Sequence, residues 1–461
     1  MATTAAPFSE KTIQTQTTSR FLRWFRFVCS EYRLLFTIVF VLNLVGIIEF
    51  LLFWVRRGYP NDKTCALATS INLTVSIVIR EEHIINGLYA ICTAVPSTAP
   101  LWLRRRLGKI YHLGGLHSGC AVAAVFWFIL LSVQKTASLY SGAISKDGKS
   151  MDAKDWISII IIYILDCLFI SMIVMAHPSI RAKLHNAFEI THRLAGWSSL
   201  ALLWTFTVLD TEINRQSTQT LAFALFTSPN IWLLFTTTTS ITITWLNCRK
   251  LPVQSEQLST PTSPTSHALR MKFTYTTPRP GTTIRISTSP LFEWHAFATW
   301  AQPTQEGFSL IISNAGDWTS RLIASPPREI WVRRTPTCGV LRIAPMFRSI
   351  LLVATGSGIA PCLPVIMAKN QTRISLFWST RDPMTTYGAE IGKIVTALGK
   401  DAYIHNTSTM GRPAMLPLVL QQYKASESEA VIVISNPKMT LGLVQDLEDA
   451  GIPAFGPIWD S

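Results

Sequence analysis

Apolar residues are spread unevenly along this chain, and that unevenness divides it before any motif is considered. Residues 34–246 carry long apolar runs, whereas 250–461 alternate short apolar and polar segments as a water-soluble domain does. The run at 34–55, about 22 residues, suffices to cross a bilayer core as a helix. The 48% apolar share averages the two halves and hides the split. Further runs at 66–95, 110–133, 156–176, 190–209 and 221–246, the last kinked at Pro229, make six expected spans. The second is interrupted by Arg80, Glu81, Glu82 and His83. It reads as one long helix whose charges pair or face a cavity, the reading preferred here, or as two pieces meeting at a re-entrant or interfacial turn.

The net charge of +14 would suit nucleic acid if the cations formed one surface, but they gather in short clusters flanking apolar runs. Arg20, Arg23, Arg26 and Arg33, then Arg104, Arg105, Arg106 and Lys109, then Arg181, Lys183 and Arg193 fall in alternate loops. They read as topology signals that put both termini and the soluble half on the cytoplasmic side of a multi-pass membrane protein in contact with lipid, with no nucleic-acid partner. The eight cysteines contain no C-x-x-C pair, which argues against structural zinc or a disulfide scaffold. Residues 1–33 read as a polar, Thr-rich tail and 34–250 as the helical bundle.

Four histidines stand at the expected cytoplasmic rim: His112 and His117 before the third span, His185 and His192 around the entry to the fifth. A spacing of seven is nearly two helical turns, so His185 and His192 share a face on one helix. Histidines on facing helices can hold one haem b iron axially, with His117 and His192 as the pair, and Gly114, Gly115 and Gly119 would thin the helix beside so flat a group. The same residues equally suit plain interfacial hydrogen bonding. A second haem would need histidines where Phe128, Leu130, Leu203 and Thr205 stand, so a two-haem path across the membrane is not expected.

The Ser/Thr/Pro-rich stretch 251–267 reads as a linker. From 268 to 347, short alternating segments interrupted near 315–324 suggest a small antiparallel β-barrel, and Asn314 and Asp317 suit the start of a helix whose N-terminus could receive an anion. From 348 to 461, strands alternate with helices as in a doubly wound parallel sheet. The segment 350–364, ILLVATGSGIAPCLP, is a strand, a glycine turn and a helix start: Gly356 and Gly358 permit the turn, Pro361 is tolerated early in the helix, and the backbone N–H groups face a phosphate.

Bundle, barrel and nucleotide domain in this order resemble the ferric reductase and NADPH oxidase superfamily. EWHAFAT, SNAGDWT, IWVRR, LLVATGSGIAPCLP, GRP and GIPAFGPIWDS resemble the fungal TmpA-type integral membrane flavoproteins more closely. The resemblance implies a ferredoxin-reductase-like soluble half with FAD on the barrel and NADPH or NADH on the sheet. It implies that His295, Phe297 and Thr299 correspond to a His-Pro-Phe flavin motif, with Ala296 in place of its proline. Gly316, Trp318 and Thr319 would face the FAD pyrophosphate or the junction of the two cofactors, and Gly356, Ser357, Gly358 and Pro361 would form the nicotinamide-nucleotide loop. Ser379, Thr380 and Arg381 would lie at the adenosine ribose, with Arg412 as a further cofactor contact, and Trp459 would stack on the flavin. Thr299 and Trp459 are the expected catalytic pair. No Arg-x-Tyr-Ser flavin motif is present. The expected activity is electron transfer from NAD(P)H through FAD to a membrane-associated or lipophilic acceptor. A non-catalytic membrane sensor or scaffold retaining the nucleotide fold is the alternative.

Overall fold

The computed structural model describes residues 28, 30–57, 62–144, 152–260, 263–302, 305–368 and 371–458. Its first half is helical: α1 Glu31–Arg57, α2 Asp62–Val78, α3 Glu82–Thr93, α4 Leu101–Leu107, α5 Gly114–Ile144, α6 Ala153–Ala176, α7 Pro178–Lys183, α8 His185–Asn214, α9 Leu221–Thr227 and α10 Pro229–Leu246. Among the described residues, three segments, Glu31–Arg56, Leu101–Ser138 and Ala153–Ala176, are long and apolar enough to cross a membrane. The pair α9 and α10, bent by 72° where the kink at Pro229 was expected, makes a fourth if taken as one span. Phe128 and Leu131 of α5, Ile162 and Leu165 of α6 and Phe206 of α8 form the bundle core. Gly115 lets α1 approach closely, since a Cβ there would lie 2.2 Å from the Tyr32 carbonyl oxygen. Gly119 likewise faces Phe36 and Val39, so these two glycines seat α1 and not the flat group expected beside them.

The expected single helix over 66–95 is broken. α2 ends at Val78, and Glu81 caps a new helix, its carboxylate accepting the backbone N–H groups of His83 (2.8 Å) and Ile84 (2.9 Å). Freed from the bundle, α3 docks on the soluble half. Asn86 donates to the Pro336 carbonyl and accepts from the Cys338 N–H, both at 2.8 Å, and Tyr89 is buried in the sheet domain's core.

The second half begins earlier than expected, and the described residues of the expected linker at 251–267 are almost all strand. Strands β1 Cys248–Pro252, β2 Gln254–Thr260 and β3 Ser263–Phe273 are followed by β4 Thr282–Ser287, β5 His295–Trp300, β6 Phe308–Ser313, helix α11 Asp317–Ala324 and β7 Glu329–Cys338. The strands form one antiparallel sheet in the order β1-β7-β4-β5-β6-β3-β2. Backbone pairing, Gln254 through Leu258 against Lys272 back to Ala268, overrides the Ser/Thr/Pro composition that suggested a linker.

The α/β unit follows: β8 Ser349–Thr355, α12 Ile359–Met367, β9 Arg373–Thr380, α13 Pro383–Thr396, β10 Ala402–Asn406, the single turn α14 Thr407–Met410, α15 Met415–Ala425, β11 Ala430–Ile434, α16 Pro437–Asp449 and β12 Ala454–Phe455. All ladders are parallel and the order is β10-β9-β8-β11-β12. The chain therefore reverses direction across the sheet between β8 and β11, the switch point at which such sheets take ligands.

Candidate functional site

The glycine turn lies at that switch point. β8, buried up to its last residue, delivers half-buried Thr355, whose hydroxyl meets that of Ser435 beyond β11 at 2.5 Å. Gly356 has φ +51°, a left-handed conformation costly for other residues, and its carbonyl accepts the Trp378 indole N–H at 3.0 Å. A Cβ on Gly358 would stand 2.3 Å from the Ile434 carbonyl oxygen, so the turn presses against β11 as only glycine allows. Ser357 completes the 3₁₀ turn, and Pro361 sits in the first turn of α12. The phenol of Tyr387 covers the turn from α13, its ring edge-on to Trp378 at 5.2 Å.

At the end of β9, Ser379 and Thr380 are buried, which leaves Arg381 as the exposed member of the expected trio. Asp382 follows at φ +38° and knots this end to β10. Its N–H donates to Asn406 Oδ1 (3.1 Å), and its carboxylate accepts from Ser408 (2.8 Å) and Asn406 Nδ2 (3.3 Å). Those hydrogen bonds, Ser408 first, hold its carboxyl below the usual range. Arg412 is exposed beside Gly411, whose carbonyl meets buried His405 Nε2 at 3.0 Å.

The expected flavin residues fare differently. Strand alternation puts His295, Phe297 and Thr299 on one face of β5. Trp318 of α11 lies over the first two, stacked on His295 at 4.0 Å and near Phe297 at 6.1 Å, with its N–H donated to Thr288 at 3.1 Å. Thr299 is buried, and its hydroxyl is committed to the Thr282 hydroxyl (2.9 Å) and carbonyl (3.1 Å). The hydroxyl expected to be catalytic is thus spent on β4. The Thr319 hydroxyl accepts from the N–H groups of Ala315 (2.9 Å) and Gly316 (3.0 Å), so part of the α11 entrance is satisfied internally and not left for an anion. Gly316 itself fronts open space. Trp459 lies outside the described residues.

The two sheets meet at Trp300, which ends β5 yet packs in one core with Ile359 and Cys362 of α12. Arg270 lies over the Trp300 ring at 4.6 Å and pairs with Glu390 of α13 at 2.9 Å. The flavin-motif strand is thus anchored on the helix that leaves the glycine turn.

The bundle is joined to this assembly by cations that the sequence presented as topology signals. Arg104, only 3% exposed, donates to both Glu429 oxygens (2.6 and 3.2 Å) and to the Met346 carbonyl (3.1 Å). Lys109 donates to the Ala454 carbonyl (2.9 Å) and pairs with Glu448 (2.5 Å). Buried Glu82 accepts from Arg285 at 3.0 Å, with Arg333 at 3.8 Å. Burial first, then the Arg285 charge, presses Arg333 down to about 10 against the pull of Glu82.

The rings of His117 and His192 stand 6.3 Å apart, 31° from parallel. His117 Nδ1 meets the Ser76 carbonyl oxygen at 2.8 Å, leaving Nε2 as its other nitrogen. A haem b held between them would take one nitrogen from each ring. A carbonyl partner on the second nitrogen is the usual support for such a ligand. Phe188 packs edge-on to His192 at 5.5 Å. His185 turns instead to Glu189 at 3.6 Å, and His112 stacks on Tyr111 at 4.5 Å.

Comparison with known proteins adds the following. Residues 340–461 match the family described as the C-terminal domain of Adenylate-forming reductase 03009. The chain is 37% identical over 436 residues to Adenylate-forming reductase 03009 of Coprinopsis cinerea, covering 94% of this chain and 40% of that protein. It is 37% identical over 456 residues to Adenylate-forming reductase 06235 of the same fungus, covering 98% of this chain and 42% of that protein. The chain thus spans about two fifths of the curated relatives it matches. Among solved structures, a ferredoxin NADP+ reductase from Neisseria gonorrhoeae with bound FAD and NADP aligns at TM-score 0.36 and 17% identity, covering 46% of this chain and 98% of that one.

Proposed function

We propose that this chain is a membrane-anchored, NAD(P)H-dependent flavoprotein reductase whose acceptor is membrane-associated or lipophilic. The observation that carries the reading is the glycine turn at the switch point, built so that no other residue fits at Gly358 and fastened through α12 to the strand bearing the flavin-type motif. The name reductase borne by the matching relatives supports it. The turn offers backbone N–H groups to a dinucleotide phosphate, Arg381 stands exposed where a ribose 2′-phosphate would be paired, and Tyr387 shields the site from water. FAD, held between the β5 face and the open space at Gly316, would supply the change from two-electron to one-electron chemistry.

The six-span, multi-pass arrangement with cytoplasmic termini belongs to the same proposal. It draws on the three long apolar helices and on the outward apolar residues of α1, such as Leu42 (67% exposed) and Val55 (84%). One haem between His117 and His192 would extend electron transfer into the bundle, and Ser76 would fix the His117 ring for it.

One observation favours a second reading, a sensor or scaffold without flavin. Trp318 already covers His295 and Phe297. The visible spectrum of the detergent-purified full chain separates the two. Flavin absorbance bleached by NADPH supports the reductase, and a haem band that disappears in His192→Ala supports the axial pair. A colourless, folded protein that cannot be reconstituted with FAD overturns the reductase reading.

A further inference from the structure

A groove of about 260 Å³ runs between the break that follows α2 and one face of α10, with Val78, Glu81 and Ile84 on the first side and a stripe from Phe235 to Ile243 on the second. It lies at the end of the bundle that carries the soluble half: Ile243 is five residues before Cys248, the first residue of β1. The same end of α2 touches the histidine pair. Ser76 contacts His117 from one face of α2 and Val78 lines the groove from another, so the two are separated by about one helix diameter, about 10 Å.

The hydroxyls of α10 decide what the groove accepts. Thr236, Thr238, Thr242 and Thr244 each donate to the carbonyl four residues back, and Thr237 meets the Thr74 hydroxyl of α2 at 3.1 Å, so all five are occupied within the bundle. Thr239 and Ser240 make no hydrogen bond through their hydroxyls among the described residues, and both line the groove. Two free hydroxyls side by side on an apolar wall suit a carbonyl oxygen, which accepts two hydrogen bonds. Charge is not on offer. Glu81 is the only ionisable residue lining the groove, and its carboxylate accepts the N–H groups of His83 and Ile84 and meets His83 Nδ1 at 2.8 Å. A ligand held here is therefore neutral. Val78 and Ile243 give it apolar walls, and the exposed side chains of Ile84 and Phe235 open the groove to the lipid side.

We infer that the groove holds the head of a lipophilic quinone. One carbonyl oxygen accepts from Thr239 and Ser240, the ring lies against Val78 and Ile243, and the tail leaves past Phe235 into lipid. Quinones are the lipid-soluble class that is neutral, accepts hydrogen bonds at a carbonyl and takes up electrons. The quinone's part as electron acceptor rests on the reductase reading; the binding site does not. In turnover NAD(P)H gives up two electrons and releases one proton, and the quinone takes two electrons and, from water at the rim, two protons, leaving as the hydroquinone.

The test uses the full chain in lipid nanodiscs, photolabelled with an azido-substituted short-chain ubiquinone and mapped by peptide mass spectrometry. Label is expected on α10 between 235 and 243 and at the α2–α3 break. Decylubiquinone should compete for it, and decylbenzene, with the same tail and no carbonyl, should not. Thr239→Val and Ser240→Ala should each weaken that competition about fivefold, the worth of one hydrogen bond, whereas Thr239→Ser, which keeps the hydroxyl, should match the wild-type chain. Label elsewhere, equal competition by decylbenzene, or unaltered competition in both Thr239→Val and Ser240→Ala overturns the inference. With NADPH added, formation of the hydroquinone supports the acceptor role, and reduction of ferricyanide but not of decylubiquinone overturns it. Intact groove labelling in a preparation that reduces neither overturns the reductase reading and leaves the binding site standing.

Discussion

Replacing Arg104 by alanine removes the strut between the bundle and the starts of the neighbouring strands β8 and β11 of the parallel sheet, and the structure lets the cost be worked out. The Arg104 side chain is 4% exposed and that of Glu429 22%. Loss of one partner of a buried pair costs about 3–5 kcal/mol, and the exposure of Glu429 lets water recover part of that. We set the loss at about 3 kcal/mol, of which about 1 kcal/mol comes from the Met346 and Ala99 carbonyls left without their donor. A cycle with Glu429→Gln, read by chemical denaturation in detergent, should give a coupling of about 2 kcal/mol. Limited proteolysis should meanwhile open the chain between α3 and α5 in Arg104→Ala. The pH dependence follows from Glu429. Burial raises its pKa, but the hydrogen bonds from Arg104 and the Arg348 N–H, with their positive charges, more than offset this, and the net shift is downward. A depressed folded-state pKa contributes stability that is complete above the ordinary glutamate value of about 4.3 and is lost as pH falls through the lowered one. The coupling should therefore persist at pH 7 and fade under acid conditions. A coupling below about 0.5 kcal/mol at pH 7, the scale of an exposed pair, would refute the claim that Arg104 is a strut.

Other outcomes follow from single contacts. Gly358→Ala forces a methyl group against the Ile434 carbonyl and should abolish NADPH binding, measured by tryptophan fluorescence quenching, and destabilise the chain by about 2 kcal/mol or more. Arg381→Ala should raise the KM for NADPH more than tenfold and leave that for NADH nearly unchanged, in steady-state assays with an artificial acceptor. Thr319→Val removes the acceptor for two N–H groups at the start of α11 and should cost about 1–2 kcal/mol in thermal denaturation. Thr299→Val should impair stability and not turnover per bound flavin, because its hydroxyl is already satisfied by Thr282.

Much of the soluble half is legible in its residue pattern. The alternation of TTIRIS and HAFATW and the run ILLVAT each became the strand they suggest, because periods of two and 3.6 are local properties of the backbone. The glycine turn was equally plain, since a tight turn and a close approach need glycine whatever surrounds them. The contacts that make a site of these parts were not. Trp318 over His295 joins β5 to a helix that arrives later in the chain, and nothing in EWHAFAT or SNAGDWT says that the two rings stack. Thr299 suits a motif in sequence, yet its hydroxyl faces Thr282 on the neighbouring strand.

By itself the sequence determined the division into an apolar helical half and a half of short strands and helices, the strand and helix types of the latter, and the tight glycine turn at Gly356 to Gly358. Tertiary structure decided where the charges went. Arg104 and Lys109 look alike in a basic cluster, and Glu82 looks like an interruption of a helix. Each is instead a buried strut, because its partner lies far along the chain, 325 residues away for Glu429 and 203 for Arg285. A charge in sequence carries only its sign. Whether it ends in water, at a lipid surface or against a carboxylate depends on which distant segment the fold brings beside it, and no local pattern encodes that.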